Sequence, residues 1–143
     1  MLLRRAFLAL STLWAVSIPL ATFVASRPGA SSISYGFALS VYAIGHVVCH
    51  QLPARSFHLW MTSLPVCARC TGIYLGAAVS AIALLRVRVP ESNPRAVLLV
   101  AMLPTAATLV FEWTTGVMPS HWLRALAGVP LGMAVAWAIG MVN

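Results

Sequence analysis

The sequence has no lysine and no aspartate, and its only acidic residues are Glu91 and Glu112. Without aspartate there is no Ser-His-Asp set for nucleophilic catalysis. No glycine-rich loop follows a strand-like segment, so a phosphate cradle of the nucleotide-binding kind is missing too. Charged residues make up only 8% of the chain. A soluble domain of this length carries roughly a quarter, and so few polar groups could not cover its surface. What remains is apolar: 61% of 143 residues. These absences place the chain in the membrane class before any motif is read.

The net charge of +7 comes from nine arginines. They punctuate apolar runs rather than forming a face, so lipid head groups are the expected partner and nucleic acid is not. The use of arginine without lysine hints at a GC-rich genome.

A spanning helix needs about 20 largely apolar residues. Five segments approach that length: 6–25, 33–50, 66–85, 96–113 and 120–142. The expected fold is all-α, an integral membrane bundle of about five helices in one domain over 1–143, in the cell membrane as a multi-pass protein. Arg4 and Arg5 precede the first segment as in a signal anchor. Gly72-Ile-Tyr-Leu-Gly76-Ala-Ala-Val79 aligns with Gly128-Val-Pro-Leu-Gly132-Met-Ala-Val135, with Arg69 and Arg124 ahead of each. Helices two-three and four-five therefore read as two repeated hairpins. Both pieces are GxxxG, which favours close helix approach and offers a face for an oligomer. If every segment crosses once, the loop after helix two, the loop after helix four and the N-terminus share one membrane face.

The chemistry-bearing residues cluster in the loop after helix two. All three cysteines, Cys49, Cys67 and Cys70, lie within 22 residues. His46, Cys49 and His50 are spaced i, i+3, i+4, one face of a helix. Cys67-Ala68-Arg69-Cys70 is a CxxC at the start of the next helix. Cys49, His50, Cys67 and Cys70 make a Cys3His set of the kind that binds zinc, with iron as the other candidate; His46 is an alternate or orienting residue. Two other readings stand beside the metal. One is thiol-disulfide exchange at the CxxC, whose thiolate the helix N-terminus and Arg69 would favour. The other is a small transporter or channel subunit with Glu112 and His46 along a polar path.

Glu112 is the one acid inside an apolar segment. A carboxylate there needs a partner charge, water or a metal. It is the candidate general base near the cysteines, or the counter-ion of Arg124 or Arg69. Arg55, Arg69 and Arg124 are the candidate substrate-binding residues, because a guanidinium fork suits carboxylate or phosphate. Trp60, Trp113 and Trp122 read as interfacial anchors.

Cys49-His50-Gln51, then Arg55-Ser56-Phe57, then Cys67-Ala68-Arg69-Cys70-Thr71-Gly72-Ile73-Tyr74 with Gly76, resembles the domain of unknown function 2085 family of predicted prokaryotic membrane proteins. The resemblance is tight over Gly45 to Gly76 and looser to Gly132. Pro104, Glu112, Arg124, Gly128 and Gly132 occupy the places of the family's proline-containing helix, its acidic residue, and the arginine and glycines after it. Glutamate stands where relatives commonly have aspartate, and Ser120-His121-Trp122 replaces a stretch that usually contains asparagine. The resemblance implies membrane topology and motif identity, and no particular reaction.

Overall fold

The computed structural model describes residues 2–84 and 92–141. Five helices carry the fold: α1 Leu2–Ala25, α2 Ser32–Val48, α3 Ala68–Ala83, α4 Pro94–Thr115 and α5 His121–Met141. A two-stranded hairpin, β1 His58–Leu59 and β2 Thr62–Ser63, and a 3-10 turn at Pro53–Arg55 lie between α2 and α3. Residues 85–91, with Arg86, Arg88 and Glu91, fall outside the described residues.

Helix ends follow local chemistry. The Ser31 hydroxyl accepts from the Ser34 N–H and starts α2, while the Asn93 side chain accepts from the Arg95 N–H and starts α4 with Pro94 behind it. Gly116, left-handed at φ 67°, ends α4. The internal prolines Pro19, Pro104 and Pro130 leave their helices continuous.

Among the described residues three helices are long and apolar enough to cross a membrane: Arg5–Ala25 within α1, α4 and α5. The expected all-α bundle of five helices is present, and these three are the ones that reach spanning length. α2 has 17 residues and α3 has 16, about 24–26 Å at 1.5 Å per residue against about 30 Å of hydrocarbon. The residues they lack went into the loop between them: α2 stops at Val48 rather than at His50, and α3 starts at Ala68 rather than at 66.

α3 and α5 form the centre. A Cβ on Gly72 would strike the Ala125 carbonyl, and one on Gly76 the Val129 carbonyl. Reciprocally, Gly128 abuts the Arg69 carbonyl and Gly132 the Ile73 carbonyl. The two helices are therefore parallel and related by a local two-fold, each glycine seated three residues before its counterpart. The repeat read from the sequence is real in this pair. Its register makes Ala125, not Arg124, the counterpart of Arg69. The two GxxxG faces are spent on each other inside one chain, so they are not open to a second copy. Thr105 and Ser80 add side-chain bonds to the Ala127 and Met133 carbonyls.

The hairpin half of the repeat differs from expectation. α4 packs on α5, but α2 packs on α1, and it is α1 that lies against α3. α1 is antiparallel to α3: Trp14 and Ile18 meet Tyr74 and Cys70, while Leu8 and Ala9 share a cavity wall with Ile82. α2 folds back along α1, with Ala38 and Val41 on Ala21, and ends beside Trp14 and Ile18, part-way down α1. The cysteine loop is thus near the C-terminal half of α1, and the N-terminus points to the other end of the bundle. Counting crossings placed them together; that count fails because α2 does not run the full height.

Candidate metal centre and its arginine cluster

The chain leaves the helix at Cys49, whose φ of −150° and ψ of 142° are extended. His46 stays exposed on the last turn of α2, and Cys49 and His50 lie beyond it. The one-face spacing of His46, Cys49 and His50 therefore has no helix to act on. What turns Cys49 inward is Gln51. Its backbone is left-handed at φ 47°, and its side-chain amide donates to the Tyr42 and Pro65 carbonyls, both at 2.7 Å. The clamp needs Gly45, because a Cβ there would meet the Pro65 carbonyl and stand 2.7 Å from the Gln51 amide nitrogen. Tyr42 donates its hydroxyl to the Ser63 carbonyl, and Ser56, fully buried, donates to the Leu52 carbonyl. The loop is thereby fastened at both ends.

Cys67 precedes α3 and caps it, and its backbone N–H donates to the Cys49 sulfur at 3.2 Å. Cys70 is on the first turn of α3. The three sulfurs lie within 4.8 Å of one another and are all half-buried. Sulfurs tetrahedral about zinc stand about 3.8 Å apart, given Zn–S near 2.3 Å. The group is thus within about 1 Å of a coordinating arrangement. The Cys67 thiol is lowered to about 5, first by the hydrogen bond it shares with the Cys70 thiol and against the opposing effect of burial. A thiolate already favoured is the form a metal requires. The imidazoles of His46 and His50 do not belong to the sulfur group; His50 lines the same cavity from its exposed rim.

Beside the sulfurs, three arginines from three elements converge on one carboxylate. Glu112, near the end of α4, is only 7% exposed. Arg55 Nη2, from the 3-10 turn, is 2.8 Å from its Oε1. Arg124 Nη2, on the first turn of α5, is 3.2 Å from Oε2. Arg69 Nη2, between the two CxxC cysteines, is 3.8 Å from Oε2 and 3.3 Å from the Thr108 hydroxyl. Arg55, Arg69, Arg124 and Glu112, each named from the sequence, meet here, with Glu112 as counter-ion to all three guanidinium groups. Its carboxylate is outside the sulfur group, and the general-base role has no contact behind it.

A cavity of about 330 Å³ joins the two halves, lined by Cys49, Cys67, Cys70, Arg55, Arg69 and Arg124 among others. Elsewhere in the loop Phe57 packs on His121 and Trp122, and His121 Nε2 is 3.1 Å from the Ala54 carbonyl oxygen. Ser120 caps α5 by accepting from the Leu123 N–H. Sequence reasoning missed Gln51 as a clamp and Thr108 as an arginine partner. Thr105, Thr108 and Glu112 lie at i, i+3 and i+7 on α4, a polar stripe that was there to be found.

The sequence profile of the domain of unknown function 2085 family, described as a predicted membrane protein, matches residues 49–138. The chain belongs to this family. An uncharacterised protein of Methanocaldococcus jannaschii is 39% identical over 67 residues, covering 47% of this chain and 43% of that protein. Another, from Methanothermobacter thermautotrophicus, is 36% identical over 92 residues, 62% of this chain and 81% of the relative. The chain thus spans less than half of the first relative and most of the second. No solved structure matches. The matched span begins at Cys49 and takes in all three cysteines, Glu112 and the three arginines.

Proposed function

We propose that the protein is a multi-pass protein of the cell membrane that holds one transition-metal ion, zinc in preference to iron, on Cys49, Cys67 and Cys70. The carrying observation is the gathering of three sulfurs from both ends of a clamped loop to within 4.8 Å. Three protein ligands leave one tetrahedral position for water or substrate, the arrangement of catalytic rather than structural zinc. Cys49, Cys67 and Cys70 line the same cavity as Arg55, Arg69 and Arg124, with His50 at its rim. A metal-dependent membrane enzyme is the function this supports, with Glu112 holding the arginines in place. Metal analysis of protein purified without chelator tests it. The result expected is about one zinc per chain, lost in Cys67→Ser and in Cys49→Ser. Metal absent from the parent protein, or retained in both variants, counts against it.

The lowered Cys67 thiol beside Cys70 favours one other reading, a membrane thiol oxidoreductase. It requires a reversible Cys67–Cys70 disulfide in the isolated protein, detectable by thiol trapping, where the metal reading requires both thiols to be reduced and protected by the ion.

A further inference from the structure

The charges around Glu112 do not balance. Arginine stays protonated in proteins, so three guanidinium groups share one carboxylate. Arg55 is 42% exposed and meets solvent; the other two do not. Arg124 is 2% exposed and Arg69 is 13% exposed. The Nε–H groups of both are buried and have no hydrogen-bond partner among the described residues. A buried cation without compensation costs several kcal/mol, and buried polar groups in folded proteins are nearly always paired. The same two side chains, with Arg55, line the 330 Å³ cavity that opens onto the sulfurs.

We infer that this cavity binds a phosphoryl-type oxyanion, held by Arg55, Arg69 and Arg124 next to the three-cysteine metal centre. Three forks arriving from a loop, from α3 and from α5 suit a tetrahedral anion with several equivalent oxygens better than a planar carboxylate. The planar partner is already present in Glu112, which takes one Nη2 from each arginine. The volume is at the small end of ligand pockets, large enough for a phosphate group and a short substituent. If the cysteines hold zinc, three thiolates and the ion together carry one negative charge. With Glu112 the site would then retain one positive charge, still matched to an anion. The inference deepens the metal-centre reading by naming the ligand class. It rests on that reading only for the anion's place beside the metal; the arginine contacts stand without it.

Free phosphate and a phospholipid head group share this chemistry, and calorimetry on the purified full chain separates them. One arm titrates inorganic phosphate; the other titrates a short-chain phosphatidic acid, with phosphatidylcholine of equal chain length as control. Saturable one-to-one binding in either arm is expected, and its arm identifies the source. Arg55→Gln and Arg69→Gln, at the less buried positions, should each weaken binding by about tenfold or more, as befits a charged hydrogen bond. Zinc content should stay unchanged. No binding in either arm, or binding indifferent to both substitutions, overturns the oxyanion site whatever the zinc content. Absence of zinc with phosphate binding intact leaves the oxyanion site standing and removes the metal centre.

Discussion

At the scale of single residues, the site is a set of groups that are expensive alone and compatible together. Glu112 and Arg124 are both nearly fully buried, and neither would be tolerated there without the other. Removing the shared counter-ion should therefore cost more than removing any single arginine contact. Glu112→Gln keeps the shape and deletes the charge. It is expected to destabilise the protein by about 3–5 kcal/mol in denaturant titrations in detergent, whereas Arg95→Gln, at an exposed position, should change little. Equal effects of the two would mean that the cluster is solvated.

Cys67 gives a second residue-scale expectation, for metal-free reduced protein. Its acidity is raised in the folded state, so the folded protein carries a thiolate from about pH 5 upward while the unfolded chain waits for the ordinary thiol range. Stability from this group is fully present above the unfolded thiol's range and is lost as pH falls through about 5. Alkylation by iodoacetamide, mapped by peptide, should label Cys67 at pH 6 at nearly its pH 8 rate. A rate that climbs about tenfold per pH unit through that interval, as for a free thiol, would contradict the arrangement.

The cysteines were legible in the sequence because CxxC and Cys-His are local patterns whose chemistry survives any error in helix ends. The convergence of Arg55, Arg69 and Arg124 on Glu112 was legible in its membership, since an acid in an apolar helix demands a cation. The one-face spacing of His46, Cys49 and His50 assumed a helix that ends at Val48. Gln51 left no trace: a positive φ and two bonds to carbonyls have no periodicity, and a single glutamine in a loop carries no charge to be balanced.

At the scale of elements, the decisive contact is the glycine seam of α3 on α5. Apolar surface gives little drive to helix association in lipid, so close backbone approach and van der Waals contact must supply it. The backbone carbonyls that a Cβ would strike at Gly72, Gly76, Gly128 and Gly132 cannot rotate away as a side chain would. Gly128→Leu should force the helices apart and lower thermal stability in detergent by an amount typical of overpacking, about 1–3 kcal/mol or more. Zinc should be lost with it, because α3 carries Cys70. Gly36, in the middle of α2 with open space at its Cβ position, is the contrasting case: Gly36→Ala should raise stability by up to about 1 kcal/mol through helix propensity. If both substitutions act alike, the seam is not what holds α3 and α5. This pairing was legible from the GxxxG alignment. That it closes inside one chain was not, because small-residue spacing is the same for a partner in cis or in trans.

The hairpin tip is the other element the sequence hid. Trp60 and Met61 have φ of 50° and 64°, the left-handed pair of a tight primed turn that glycine and asparagine usually supply. Trp60 rests on Phe23 at 5.1 Å between ring centroids, and Arg27 covers the other ring contact of Phe23. Aromatic packing against α1 fixes a turn that local propensity disfavours.

At the scale of the whole molecule, the fold places its chemistry by ending α2 before it reaches the far end of α1. α2 descends along α1, stops at Val48, and the chain returns by way of the hairpin before α3 begins. The step so formed holds the sulfurs, the arginines and the cavity between them. A hydropathy count sees five apolar runs and assumes five crossings; it has no means of detecting that one run turns back. The consequence is a topology that can be checked. A membrane-impermeant maleimide should reach Met61→Cys, a 99% exposed position, from one side of sealed vesicles, and an N-terminal tag should be cleaved from the other. Both on one side would restore the five-crossing arrangement.

The central claim is that donors from Cys49 at one end of the loop and from Cys67 and Cys70 at the other meet on one ion. X-ray absorption at the zinc edge of the purified protein tests this most directly. The account predicts three sulfur neighbours at about 2.3 Å and one light neighbour at about 2.0 Å, a pattern unchanged by His50→Ala. A zinc environment of nitrogen and oxygen with at most one sulfur would contradict it.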